Sequence, residues 1–341
     1  MEHLRRATIA DVAKKAGVGI ATVDRVINRR ARVKPETAQR VLEAAEALGF
    51  RATNLIKVQL HENSKGHRLG FILQKKNALF YQHLGKILSD KAKQMNTQPV
   101  FEYLNELSPR AIVQALDRLA TKVDAIALVA ADHPHVNEAV EHYVRSGIPI
   151  ITLITDLTTE SRSGYVGLDN RLAGRTAAWT ITRLSREIGK IGIIIGSHRY
   201  LCQELCEVSF RSYCRENAPD FQIVEAVISL EDPSLAQEAT LDLLKRNPDL
   251  VGLYCAGGGV EGVISALREE QKHAHLITVC NEITEFTRSA LIDGIVDLVI
   301  SHPPVVLAEK AIELMVRAIQ KQVGTQNYIT LPFDIFISEN V

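Results

Sequence analysis

Three groups of residues in this 341-residue chain have side-chain types and spacings that could do chemistry. The first is basic. Residues 1 to 60 hold 12 Lys and Arg against 6 Asp and Glu, net +6, in a chain whose 40 basic and 40 acidic residues cancel overall, so the remainder carries net −6. Arg25 and the run Arg29-Arg30-Ala31-Arg32 gather positive charge where a phosphate backbone could lie. The second group is His198, Cys202 and Cys206, spaced four apart, which could present three metal ligands on one helical face. No fourth ligand is evident, and buried free cysteines are the plainer reading. The third is Gly257-Gly258-Gly259, between an aliphatic run and a helical one. It suggests a phosphate cradle, yet neither GxxxxGK[ST] nor GxGxxG spacing is present, so close backbone approach to a small ligand is the simpler account. No GxSxG or HExxH occurs, and no enzyme, metal or cofactor is read from the chain.

The elements that must carry these groups fall into two patterns. In the basic head, apolar residues recur at helical spacing in three blocks. Thr8 caps a helix from Ile9 that stops at Gly17, Ile20 to Asn28 forms a second, and Pro35 opens a third that runs to Leu48 before Gly49. Gly17-Val18 supplies the turn and apolar plug of a helix-turn-helix, with Ala13, Val18, Val23 and Val26 facing a small shared core. The polar stretch 61 to 67 reads as a linker. From Arg68 onward, ten short aliphatic runs (69–73, 99–104, 124–130, 148–154, 165–169, 191–195, 221–229, 250–256, 276–280 and 295–301) alternate with helical segments that begin near Phe80, Pro109, Pro134, Arg171, Tyr200, Pro233, Val260 and Pro303. Continuous apolar strands separated by helices mean parallel sheets covered on both faces. Ten strands exceed one comfortable sheet, so the expectation is two doubly wound α/β lobes with a ligand cleft between them.

Composition sets the outer limits. The chain is 46% apolar and 23% charged, ordinary globular usage, and no apolar run approaches the roughly 18 residues of a membrane span. The charged N-terminus lacks the apolar core of a secretory signal, and five scattered cysteines are read as free thiols, so a reducing cytosol is expected.

The segments ATIADVAKKAGVGIATVDRVIN and VKPETAQRVLEAAEALGF resemble the DNA-binding head of the LacI/GalR family of bacterial transcription regulators. NALFYQHL (77–84), DAIALVAADHP (124–134), GIPIITLITDL (147–157), YVGLDNRLAGRTAA (165–178) and NEITEFTRSALIDG (281–294) resemble that family's periplasmic-binding-protein-like body. The resemblance implies three parts: a helix-turn-helix at 1–50, a hinge at 51–67 and a two-lobed effector-binding and dimerisation region at 68–341. It implies a homodimer on a palindromic double-stranded operator, controlled by a small effector. Ile20, Ala21 and Arg25 are then expected to face base edges, and Thr8, Thr22, Asn28, Lys34 and Thr37 to meet phosphates or the groove margin. Two departures stand out: Gly19 replaces a serine cap, and Asp24 replaces a common serine, with a salt bridge to Arg25 or Arg29 as its expected use. The family's hinge wedges a leucine into the minor groove; here Leu60 falls one residue late, Ile56 replaces an alanine and the usual proline is missing.

By position in the family pattern, the effector would meet Asn77, Phe80, Asp132, Asp169, Asn170, Glu282 and His302. Each has a plainer alternative: Asn77 and Asn170 as turn or cap residues, Phe80 as core, Asp132 as the cap of the helix near Pro134. Cys206 stands where many relatives have a sugar-binding arginine. With Asp132, Asp169 and Glu282 in the lining, an anion is repelled and a small uncharged sugar or polyol is expected, unless Arg171 turns inward. A transport receptor would share the body but has no use for a basic three-helix head.

Overall fold

The computed structural model describes residues 7–28, 33, 35–53, 66–76, 78–270, 276–321 and 327–341. The head is three helices, α1 (Ile9–Ala16), α2 (Ile20–Asn28) and α3 (Pro35–Ala47). Thr8 and Asp11 form a reciprocal capping box at the start of α1, and Gly17 closes it at φ 65°, a left-handed turn that costs glycine nothing. Val18 then folds back onto the core of Val12, Ala13, Val23, Val26, Val41, Leu42 and Ala45, as the spacing predicts. The third helix ends one residue earlier than expected, with Gly49 again left-handed. The hinge reading at Leu60 and Ile56, the Arg29 to Arg32 run, Lys34 and Asn77 lie outside the described residues.

The body is two α/β lobes. In the first, β1 (Arg68–Gln74), β2 (Gln98–Leu104), β3 (Ala125–Leu128), β4 (Ile150–Leu153) and β5 (Gly164–Leu168) are joined by β12 (Tyr328–Leu331) in the order β12-β5-β4-β3-β1-β2, all parallel. In the second, β6 (Lys190–Ile195), β7 (Gln222–Ile223), β9 (Leu250–Cys255), β10 (Ile277–Asn281), β11 (Leu298–Ser301) and β13 (Asp334–Phe336) run in the order β13-β11-β10-β9-β6-β7, with β8 (Val227–Ile228) also on β6. Three features depart from the sequence expectation. The run 221–229 is two short strands, because Ile223 pairs with Ile191 and the chain leaves the sheet before Val227 rejoins at Ile194. β12 and β13 come from the C-terminal segment, and β13 lies antiparallel to β11.

Helices α4 (Leu79–Gln94), α5 (Pro109–Ala120), α6 (Pro134–Arg145) and α12 (Pro304–Ile319) cover the first lobe; α7 (Asn170–Leu184), α8 (Leu201–Asn217), α9 (Pro233–Arg246), α10 (Val260–Glu270) and α11 (Glu285–Ile292) cover the second. Their starts follow local chemistry: Ser108 and Asp232 cap helices whose first residue is proline, and Asp169 caps α7. The chain crosses between lobes three times, after β5, after β11 and between β12 and β13. No described helix is long and apolar enough to cross a membrane.

Candidate functional site

Both sheets end in the same place. Gln74, Val129, Ile154 and Leu168 at the carboxyl ends of first-lobe strands face Ala256, Asn281 and His302 at the ends of second-lobe strands across a cavity of about 490 Å³. Side chains converge there because each strand's last residue is followed by a loop rather than by covering helix.

Of the expected effector residues the structure brings four together, Phe80, Asn170, Glu282 and His302. Glu282 sits at φ 70°, a left-handed conformation unusual for a side-chain-bearing residue, held by Thr287 Oγ1 donating to its carbonyl at 3.0 Å. Its carboxylate accepts from His302 Nδ1 at 2.6 Å, Ser301 Oγ at 3.1 Å and the His302 amide at 3.3 Å. His302 is 3% exposed, and its Nε2 is buried with no hydrogen-bond partner. Phe80 stands 6.5 Å from the imidazole, centroid to centroid. Asn170 is tied down by its contact with the Tyr165 hydroxyl and by Cys206 Sγ donating to its carbonyl.

Asp132 and Asp169 are outside the lining, which corrects two expectations. Asp132 accepts from the Thr158 amide at 2.8 Å, the Thr158 hydroxyl and Asn137 Nδ2 at 3.0 Å, so its acceptors are spent within the first lobe; His133, not Asp132, caps α6. Asp169 accepts from the amides of Arg171 and Leu172 at 3.1 Å each as the cap of α7. Arg171 is exposed and does not line the cavity.

Several lining residues carried no sequence signal. Glu231 follows Leu230, and both are left-handed, at φ 59° and 52°. That turn swings the Glu231 carboxyl against Gly196 and Gly258, where any Cβ would collide with it. Its Oε1 accepts from Gln203 Nε2 at 2.7 Å and the Gly258 amide at 3.2 Å, while Gln203 Oε1 accepts from the Gly196 amide at 2.7 Å. The triglycine run therefore does form a cradle, and its occupant is the chain's own carboxyl group. Burial pushes that carboxyl above the ordinary carboxylate range, against the opposing hydrogen bond from Gln203. Lys75 reaches from the first lobe to donate to the Glu231 carbonyl at 2.8 Å. Tyr81 and Tyr200 add phenols whose pKa values burial raises, and burial likewise raises the Cys202 thiol and lifts Cys206 to about 11. Among the described residues no group of three His, Cys, Asp or Glu is arranged to hold a metal; His198 pairs instead with Glu207 at 2.9 Å.

The head presents a different surface. Val23 and Val26 bury one side of α2, leaving Ile20 57% exposed and Ala21, Arg25 and Asn28 open to solvent, with Thr22 half-buried. Asp24 accepts from Asn28 Nδ2 at 2.6 Å along the helix. Thr8 is exposed at the α1 cap, and Thr37 is half-buried in the first turn of α3.

A helix-turn-helix head joined to a two-lobed cleft defines a ligand-binding transcription regulator. Residues 8–53 match the model for bacterial regulatory proteins of the lacI family, and residues 69–323 match the periplasmic binding protein domain. The chain carries a lacI-family DNA-binding domain on a body that belongs to the periplasmic binding protein domain family. Similar proteins include catabolite control protein A of Priestia megaterium, 28% identical over 42% of each chain, and the ribose operon repressor of Halalkalibacterium halodurans, 24% identical over 73% of this chain and 71% of that one. A solute-binding protein of an ABC transporter from Agrobacterium vitis, solved with alpha-D-tagatopyranose, superposes with a TM-score of 0.75 at 20% identity over 80% of this chain and 95% of that one, which shows the fold of the body.

Proposed function

We propose that the protein is a homodimeric repressor that binds a palindromic operator through α2 and is controlled by a small sugar or polyol, without an anionic group, in the cavity between the lobes. It binds and does not catalyse, and it works in the cytoplasm, where its operator is. The observation that carries this reading is one chain that joins an exposed α2 face, seated on Val23 and Val26, to a cavity at the carboxyl ends of two sheets. Arg25 is suited to a guanine O6/N7 pair, and Ile20 and Ala21 to thymine methyls. Thr8, Thr22, Asn28 and Thr37, with Lys34 from the sequence pattern, supply phosphate or groove-margin contacts, and Leu60 is the hinge candidate. One nine-residue helix reads too few base pairs for a specific site, so two copies are needed. Exposed Ile228, Leu230 and Leu235 on the second lobe offer apolar surface to a partner.

The exclusion of anions rests on a different set of acids from those the sequence suggested. Glu231, Asp232 and Glu261 join Glu282 in the lining, against Lys75 and His302. One named relative is the repressor of a ribose operon and the solved neighbour holds a sugar, which supports the effector class. Footprinting and gel shifts on the chain's own upstream DNA, with and without a panel of sugars, polyols and sugar phosphates, test the reading. The expected result is a two-fold symmetric footprint that a neutral or amino sugar alters. A single unrepeated half-site, or a response to sugar phosphates only, would overturn it.

A further inference from the structure

We infer that the effector carries a protonated amino group, received by the second-lobe wall of the cavity at Glu231 and Glu261. This rests on the sugar or polyol reading and replaces its expectation of an uncharged effector with a cationic one.

The two walls differ in charge. Among the described residues the second lobe lines the cavity with Glu231, Asp232, Glu261 and Glu282 and with no lysine or arginine, and the first lobe supplies Lys75 as its one basic side chain. Two of the four acids are committed to the fold. Asp232 accepts from the amides of Ser234 and Leu235 as the cap of α9, and Glu282 holds His302 and Ser301. The other two are not. Both hydrogen bonds to the Glu231 carboxyl fall on Oε1, and the Lys75 ammonium bonds the Glu231 carbonyl rather than its carboxylate. Glu261, in the first turn of α10, makes no side-chain hydrogen bond or ion pair among the described residues.

A second, independent observation asks for a donor. His302 Nδ1 is taken up by the Glu282 carboxylate, which leaves Nε2 as the ring's one polar atom turned to the cavity. That nitrogen is buried and unpartnered on a residue that lines the cavity. A hydroxyl satisfies Nε2, but Glu231 Oε2 and the Glu261 carboxylate remain acceptors without a donor among the described residues. An ammonium is donor-only and cationic, so it matches the acid wall, while hydroxyls of the same ligand reach His302 and the ring stacks on Phe80. Burial acts against ionisation of Glu231, and a nearby cation offsets that effect.

Isothermal titration of the full-length protein with hexosamines and amino polyols, their N-acetylated forms and their parent neutral sugars tests the proposal. The expected result is at least one free amine that binds tenfold or more tightly than its parent sugar and its acetylated form, with the gap narrowing as salt rises. Glu231→Gln keeps the acceptor that Gln203 and Gly258 use and should erase the amine preference while leaving the thermal midpoint close to that of the parent. If Glu231→Gln does not fold, Glu261→Gln decides, since that side chain makes no hydrogen bond or ion pair among the described residues; an amine affinity unchanged in Glu261→Gln overturns the proposal. A parent sugar bound as tightly as its amine also overturns it while leaving the sugar-effector reading in place. Binding by neither class overturns both.

Discussion

The α2 face and the Glu231 cradle present polar groups in opposite ways. On α2, Arg25, Ala21 and Ile20 project from a seat whose buried residues are Val23 and Val26, so a side chain can be exchanged without disturbing its support. In the cradle, Glu231, Gln203, Gly258, Gly196 and Lys75 hold one another across two lobes, and each group is both support and surface. The first arrangement suits a surface that must accept many sequences over evolutionary change, and the second suits a site whose occupancy must be felt by both lobes.

The comparison can be broken most sharply in the body's core. Phe210, fully buried on α8 and stacked on Tyr254 at 5.3 Å, belongs to the cluster behind the cavity. Phe210→Ala is expected to cost about 3 to 5 kcal/mol of body stability. Denaturant unfolding checks this, and a loss below 1 kcal/mol would mean the cavity's back wall is not rigidly packed. Arg25→Ala should lose about 1 to 3 kcal/mol of discrimination between operator and random DNA with thermal stability and effector binding unchanged. Equal losses on both DNAs would remove Arg25 from base reading. Asp169→Ala should cost about 1 kcal/mol of stability by uncapping α7 and leave the effector response intact. A lost response would return Asp169 to the site.

The smallest effect concerns pH. A carboxyl whose folded pKa is raised binds its proton more tightly in the folded state, so its contribution to stability falls as pH climbs from the ordinary carboxylate range to the raised value. Asp297 and Glu313, also raised by burial, slope the same way. Glu231→Gln should therefore flatten, without abolishing, the decline in thermal midpoint across that window. An unchanged slope would indicate that Glu231 is not desolvated in solution.

What the sequence shows and what it hides follow from the range of the interaction involved. Helices opening at Pro109, Pro134 and Pro233 are legible because proline at the first position acts locally. So are the head's turn at Gly17 and the aliphatic strands of both sheets. Asp132 and Asp169 misled because an acid at a strand end before a helix serves a cap and a ligand equally well; only the Thr158 amide, 26 residues away, decides for Asp132. Glu231 was invisible because its direction depends on two successive left-handed residues and on glycines 27 and 35 positions distant. β12 and β13 are four- and three-residue strands whose partners lie in lobes already built, so no local pattern announces them.

The three crossings between lobes bear on how the molecule is made. The first lobe lacks α12 and its edge strand β12 until residue 331 has been synthesised, and the second lacks β13 until residue 336. Neither lobe is a continuous stretch of chain, so neither can finish folding as an autonomous unit before its C-terminal strand has been made. The head, complete within the first 50 residues, has no such wait. A nascent chain thus displays its helix-turn-helix long before it owns a finished cavity.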